Sequence, residues 1–196
     1  MTLNTDEIWQ SFKTTLLSHC SFSAPAWDLL SGISEIRQVQ KGELILNETK
    51  VCRSIDFVYQ GAFRAYHLND GIETTTAFAT EGNFVTDMRS LSTASPSLVN
   101  IHALESSLTV RLYKDKMTDL YNQSAEIQAL GRSILEAMVV AENNWKEMYI
   151  LYDPQKRYEF LLNKAPHFLT RIPLQYIASF LGIRRETLSR IRSRQA

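Results

Sequence analysis

Between residues 6 and 19 apolar side chains return at helical spacing, and Ile8, Trp9, Phe12, Leu16 and Leu17 form a candidate buried face. A second, short helix is predicted near 26–30, with Pro25 in its first turn and Ser23 as its cap. From residue 33 to 113 the period shortens to two. Ile55, Phe57 and Tyr59 alternate, Gly61 punctuates, Arg64, Tyr66 and Leu68 alternate in turn, and Asn69-Asp70-Gly71 closes a hairpin. Leu108, Val110 and Leu112 mark the last strand. Many short strands between turn signals predict a jelly roll or barrel.

Residues 124–149 then return to helical spacing with no proline. Ile127, Gly131, Ile134, Met138, Ala141, Trp145 and Met148 recur at four and three residues, the period of a heptad seam. Leu130, Leu135 and Val139 form a second apolar flank. One flank can pack on its own roll while the other meets a twin helix, which predicts a parallel homodimer; a single buried helix in a monomer is the alternative. Asp153-Pro154 breaks the helix and begins a hinge. Residues 155–163, with Tyr158, Phe160, Leu161 and Leu162, form the next helix, Pro166 ends it, and Phe168 and Leu169 cover a small core.

The last segment is the most specific. Pro173 is placed at the first position of a helix on which Leu174, Ile177 and Leu181 make one face. Gly182 supplies the positive φ of a tight turn, and Ile183 plugs back before a second helix begins near Arg184, buried by Leu188 and Ile191. Ala178 is small where the two helices cross. This is a helix-turn-helix pattern. The outward face of the second helix carries Arg184, Arg185, Glu186, Thr187, Ser189, Arg190 and Arg192, followed by Arg194. Arginine forks onto O6 and N7 of guanine, and glutamate accepts from N4 of cytosine. The plain alternative is a solvated face with a weak Glu186–Arg190 ion pair.

Charge sharpens this picture. The 196-residue chain has a formal net charge of +0. Residues 184–194 hold five arginines against one glutamate, +4, so the remainder carries −4. No apolar run reaches the roughly eighteen residues of a membrane span, and no basic then apolar leader opens the chain, which predicts a cytoplasmic protein without a membrane partner. Cys20 and Cys52 lie far apart and read as free thiols. His19, His67, His102 and His167 show no metal-ligand spacing. No nucleophile–base pair, metal set or phosphate loop argues for an enzyme.

The string Ile177-Ala178-Ser179-Phe180-Leu181-Gly182-Ile183, followed by Arg185-Glu186-Thr187-Leu188-Ser189-Arg190-Ile191, resembles the Crp/Fnr transcription regulators. The resemblance extends along nearly the whole chain. It implies an α+β fold with an N-terminal double-stranded β-helix (jelly-roll) domain of the cyclic-nucleotide-binding type over residues 1–123, a long dimerisation helix over 124–152, and a helix-turn-helix DNA-binding domain over 153–196. It assigns base reading to Arg185, Glu186 and Arg190, double-stranded DNA and a second copy of the chain as partners, and RNA polymerase as a further one. Relatives usually continue into a two-stranded wing. Through Ala196 no full wing is readable, so Arg192 and Arg194 are expected to supply part of the phosphate contacts. The four cysteines that hold an iron–sulfur cluster in some relatives are not here, and no cluster is expected.

The resemblance also implies an effector cassette near residues 82–103. Gly82-Asn83-Phe84-Val85 matches its approach, after which the pattern decays: Thr86-Asp87-Met88 stands where relatives have Gly-Glu-Leu, and Ser97 and Leu98 stand where an arginine and a serine or threonine belong. Losing one charge-assisted bidentate contact to a buried phosphate costs roughly 2 to 5 kcal/mol, so cyclic AMP is disfavoured. Arg89 is the one substitute cation in the segment. The candidate pocket is therefore Gly82, Thr86, Asp87, Met88, Arg89, Ser97 and Leu98, for an unidentified small-molecule effector, a partner protein or nothing. The reading is a dimeric, sequence-specific regulator that binds an inverted repeat. The competing class is a ligand-binding regulatory protein that acts on a protein partner without DNA.

Overall fold

The computed structural model describes residues 4–194. The described chain divides into two compact units, one of residues 4–65 and 78–137, the other of 66–77 and 138–194.

In the first unit, α1 (Thr5–His19) buries Ile8, Phe12 and Leu16 at i, i+4, i+8, while Trp9 is half-buried and Leu17 exposed. The second helix, α2 (Ala24–Ile33), is longer than its apolar signal predicts. Ser23 caps it by accepting from the Ala26 amide (3.4 Å), and Pro25 sits in its first turn. Eight strands follow: β1 (Glu35–Val39), β2 (Leu44–Leu46), β3 (Ser54–Gln60), β4 (Phe63–Asn69), β5 (Ile72–Ala79), β6 (Phe84–Val85), β7 (Asn100–Ala103) and β8 (Ser107–Tyr113), with a short helix α3 (Met88–Thr93) between β6 and β7. They form two four-stranded sheets, in the orders β1-β8-β3-β6 and β2-β7-β4-β5, the jelly roll expected from the sequence. The β4–β5 turn closes through Asp70 (φ 50°) and Gly71 (φ 77°), the paired positive angles that a two-residue hairpin requires.

Alternation along β3 and β8 sorts the core. Phe57, Val110 and Leu112 point outward to Ile8, Phe12, Leu16 and Leu30 of the helices. Val58 points into the roll with Val39, Phe63 and Ile101. Asp56 and Arg111 face each other directly across the β3–β8 ladder, and the Arg111 guanidinium donates to both Asp56 oxygens (3.0–3.2 Å) while Thr109 Oγ1 donates to one (3.0 Å). A helix without an apolar-period signal, α4 (Lys114–Gln123), follows β8 and buries Leu120.

The long helix α5 (Ala125–Leu151) is continuous, as expected, and most of the residues assigned to the dimer seam are covered within this one chain. Of the residues assigned to the dimer seam, Ile127 and Met148 are 1% and 0% exposed, Ile134 packs on the outer core, Met138 is half-buried, and Trp145 is wrapped by aromatic rings. Only Ala141 of that set is exposed. The exposed large apolar residues of α5 are Leu135 in the first unit and Val139, Val140, Ile150 and Leu151 in the second. Period alone cannot choose between two apolar flanks, and the aromatic core of the second unit took the one that carries Trp145.

In that second unit Trp145 meets Phe160, Phe168 and Phe180 at 5.6, 6.5 and 5.3 Å between ring centres. Around it lie α6 (Pro154–Lys164), capped by Asp153, the short α7 (Phe168–Arg171), α8 (Leu174–Phe180) and α9 (Arg185–Ser193). Pro173 stands just outside α8 rather than at its first position. The end of the β4–β5 hairpin belongs to this unit: the Thr75 amide donates to Ser179 Oγ (2.9 Å), which donates to the Glu73 carbonyl (3.3 Å).

Between β3 and β4, Gly61 takes φ +120°, and a Cβ there would fall 2.0 Å from Ser107 Oγ. Gly61→Ala is expected to cost about 2–4 kcal/mol through strain and overlap, read as a lower urea midpoint with an unchanged slope.

Candidate nucleic-acid interface and effector cassette

The helix-turn-helix closes through backbone geometry. At the end of α8 the Gly182 amide donates to the Ser179 carbonyl (3.1 Å) and the Ile183 amide to Ala178 (3.0 Å), the paired bonds of a Schellman cap, with Gly182 at φ +69°. Ile177, Ala178, Phe180 and Leu181 bury one side, and Leu188 and Ile191 of α9 bury the other. That leaves Arg184, Arg185, Glu186, Ser189, Arg190, Arg192 and Arg194 exposed and Thr187 half-buried. Among the described residues none of the five arginines makes a side-chain hydrogen bond or ion pair, and Glu186 and Arg190 do not pair. A row of cations with no internal partner is a surface that gains by meeting an anion.

Sequence reasoning missed what holds this head together. Arg157, on α6, spreads its guanidinium over three carbonyls: Nε donates to Tyr152 (2.9 Å), Nη1 to Leu181 (3.0 Å) and Nη2 to Tyr149 (3.1 Å). These are the C-terminal carbonyls of α5 and α8, where helices leave acceptors open and their dipoles favour a cation. The same guanidinium lies 5.4 Å over the Tyr149 ring, whose hydroxyl donates to the Phe180 carbonyl. Arg157 thus bridges the break at 152–154, read from sequence as the hinge, to the end of α8. Nothing in the sequence flags Arg157, because one arginine on a polar helix looks solvated.

The cassette residues do come together, on one another. Asp87 caps α3: Oδ1 accepts from the Ser90 amide (3.2 Å) and Oδ2 accepts from Ser97 Oγ (2.8 Å). The two positions that, by resemblance, would hold a sugar and a phosphate grip each other instead. Thr86 Oγ1 donates to the Ser54 carbonyl (2.9 Å), and the Ser90 hydroxyl accepts from the Cys52 amide (2.9 Å) and donates to the Ser95 carbonyl (2.6 Å). Arg89 donates to the Pro96 carbonyl (2.6 Å) and is itself exposed, so it does not take the place of the absent arginine. Gly82 makes a turn at φ +78°, Leu98 is exposed, and Met88 turns toward the helix-covered side of the roll. These residues, so bonded, do not fit a cyclic nucleotide.

Residues 36–124 match the family model of the cyclic nucleotide-binding domain. Among solved structures the chain is similar to FixK2 from Bradyrhizobium japonicum, with a TM-score of 0.71 and 17% identity over 83% of this chain and 84% of that one. It is similar to a protein from Eubacterium rectale described as a transcriptional regulator of the Crp/Fnr family, with a TM-score of 0.63 and 21% identity over 87% and 82%. It also resembles the c-di-GMP responsive global regulator CLP of Xanthomonas campestris, with a TM-score of 0.66 and 15% identity over 88% and 91%. No curated protein matches the sequence. At these identities the likeness is one of fold.

Two measurements test the Arg157 node. Arg157→Met, which keeps the stem and removes the donors, is expected to lower stability by about 2–4 kcal/mol in urea unfolding. Burial holds the Tyr149 phenol up at about 12, against the lowering pull of Arg157. With an unfolded value of about 10 the native state keeps its proton longer, so stability is flat below pH 10 and falls as pH rises toward 12, by up to about 2 kcal/mol. Melting curves across that window should show the fall, and Tyr149→Phe should reduce it.

Proposed function

We propose that this chain, in which residues 36–124 match the cyclic nucleotide-binding domain and whose fold is like that of Crp/Fnr transcription regulators, regulates transcription by binding an inverted repeat in double-stranded DNA as a homodimer. The observation that carries the reading is the α9 face: five arginines and Glu186, exposed and without side-chain partners among the described residues, on a helix whose other side is locked into the helix-turn-helix core. Arg185 and Arg190 supply forks for guanine, Glu186 an acceptor for cytosine, and Arg184, Ser189, Arg192 and Arg194 stand where phosphates would run. Thr187, half-buried beside them, offers its methyl group or hydroxyl at the edge of the same face.

The dimer surface in this reading is built on Leu135, Val139 and Ile150, exposed residues of α5 that lie within about 60° of one another around the helix. Apolar side chains on one flank of a 27-residue helix are the self-complementary patch that a two-fold axis pairs with itself. Two α9 helices then read half-sites about 34 Å apart. The cassette contributes structure: with both Asp87 oxygens and Ser97 engaged, cyclic AMP is not its ligand.

Fluorescence anisotropy against a selected inverted repeat and a random pool tests the DNA reading. The wild type should prefer the repeat, and Arg185→Ala/Arg190→Ala should lose that preference by about thirty-fold or more. Equal, weak binding by both proteins would overturn it. Sedimentation equilibrium at micromolar concentration should give a dimer, and Leu135→Glu/Val139→Glu a folded monomer; a monomeric wild type would sink the dimer.

A further inference from the structure

The first unit contains a cavity that shares only Leu135 with the surfaces used in the DNA reading. It has a volume of about 320 Å³ and lies on the helix-covered side of the sheet β1-β8-β3-β6, the opposite side from Asp56 and Arg111. Its floor is apolar and buried: Phe12 and Leu16 of α1, Leu30 of α2, Leu112 of β8 and Leu130 of α5. Protein interiors leave few voids larger than a water molecule, and an engineered apolar cavity of about 150 Å³ stays dry and takes up benzene. A space about twice that size accepts a ligand body of roughly ten to fifteen non-hydrogen atoms.

Two polar groups mark where the ligand's head would lie. Tyr121 stands against α5 so closely that a Cβ on Gly131 would fall 2.4 Å from its hydroxyl oxygen. Among the described residues that hydroxyl has no hydrogen-bond partner, and burial raises its pKa, keeping it a neutral donor. At the mouth, Lys114 donates through Nζ to the Leu91 and Ser92 carbonyls, which leaves one N–H of the ammonium uncommitted. Exposed Ser92 and Thr118 complete the rim. An apolar floor with one donor in the wall and one cation at the entrance favours a molecule with an apolar body and a single anionic, hydrogen-bond-accepting end.

We propose that this cavity binds a small amphipathic carboxylate, a medium-chain or aromatic acid, with its apolar body against Leu16, Leu30 and Leu130 and its carboxylate between Tyr121 and Lys114. The site is separate from the Asp87–Ser97 cassette and stands whether or not α9 reads DNA. Ile134 and Leu135 form part of its wall, so the ligand contacts the first half of the helix whose second half carries Trp145.

Isothermal titration of the whole chain with decanoate, beside decanol and decylamine, tests this. One decanoate per chain should bind, more tightly than decanol and far more tightly than decylamine. Lys114→Gln should weaken decanoate about fivefold and leave decanol unchanged, and Tyr121→Phe should weaken it by a similar factor. Ile134→Phe, which fills the space, should abolish binding; should that variant not fold, the two shape-conserving variants carry the test. No saturable decanoate binding, equal affinity for decanoate and decylamine, or indifference to both Lys114→Gln and Tyr121→Phe would each overturn the assignment.

Discussion

Strand β3 is buried on both faces, and the N-terminal unit is organised around that constraint. A strand so placed must satisfy an apolar layer on one side and close the roll on the other. Phe57 meets the first demand against Phe12 at 5.1 Å between ring centres. Asp56 meets the second by accepting from Arg111 and Thr109 of the neighbouring strand. The ion pair adds little net stability against an apolar substitute, yet removing one partner would leave a buried charge alone, a loss of about 3–5 kcal/mol. It therefore holds the β3–β8 register, since a slip of one residue would turn Asp56 into the helix layer and Phe57 into the roll. The cassette hangs from this strand through Thr86 and Ser54, and the apolar cavity lies against its other face at Ile55.

Local features were legible in the sequence where one residue type meets one backbone requirement. Ser23 with Pro25, Asn69-Asp70-Gly71 and Gly182 each name their structure because few other residues fit those angles. The jelly roll followed from the spacing of strands and turns, and the α9 face from the density of arginine. Less was legible where the answer depends on a neighbour distant in sequence. The apolar period of α5 was plain, but the cover over Trp145 comes from Phe160, Phe168 and Phe180, whose closeness to it no local pattern encodes. Arg157 and the Asp87–Ser97 bond belong to the same class. Each is an ordinary polar residue until the fold supplies its partner.

The cassette and the cavity show two ways in which one domain can treat its interior. On the roll side, polar side chains answer one another, so order there needs nothing from outside. On the helix side, Gly131 removes volume and Tyr121 leans into the gap, and apolar surface stays unsatisfied. The closed cassette and the open cavity thus lie on opposite sides of a single sheet.

Arg157 has a bearing on how this protein will respond to its solvent. Its partners are peptide carbonyls, which neither titrate nor exchange counterions, and its contacts are short and partly sheltered, where mobile salt screens weakly. Most arginine anchors lean on a carboxylate and loosen in acid or brine; this one does not depend on either. The packing of α6 and α8 around Arg157 is thus insulated from ionic strength, while the exposed arginines of α9 remain fully subject to it.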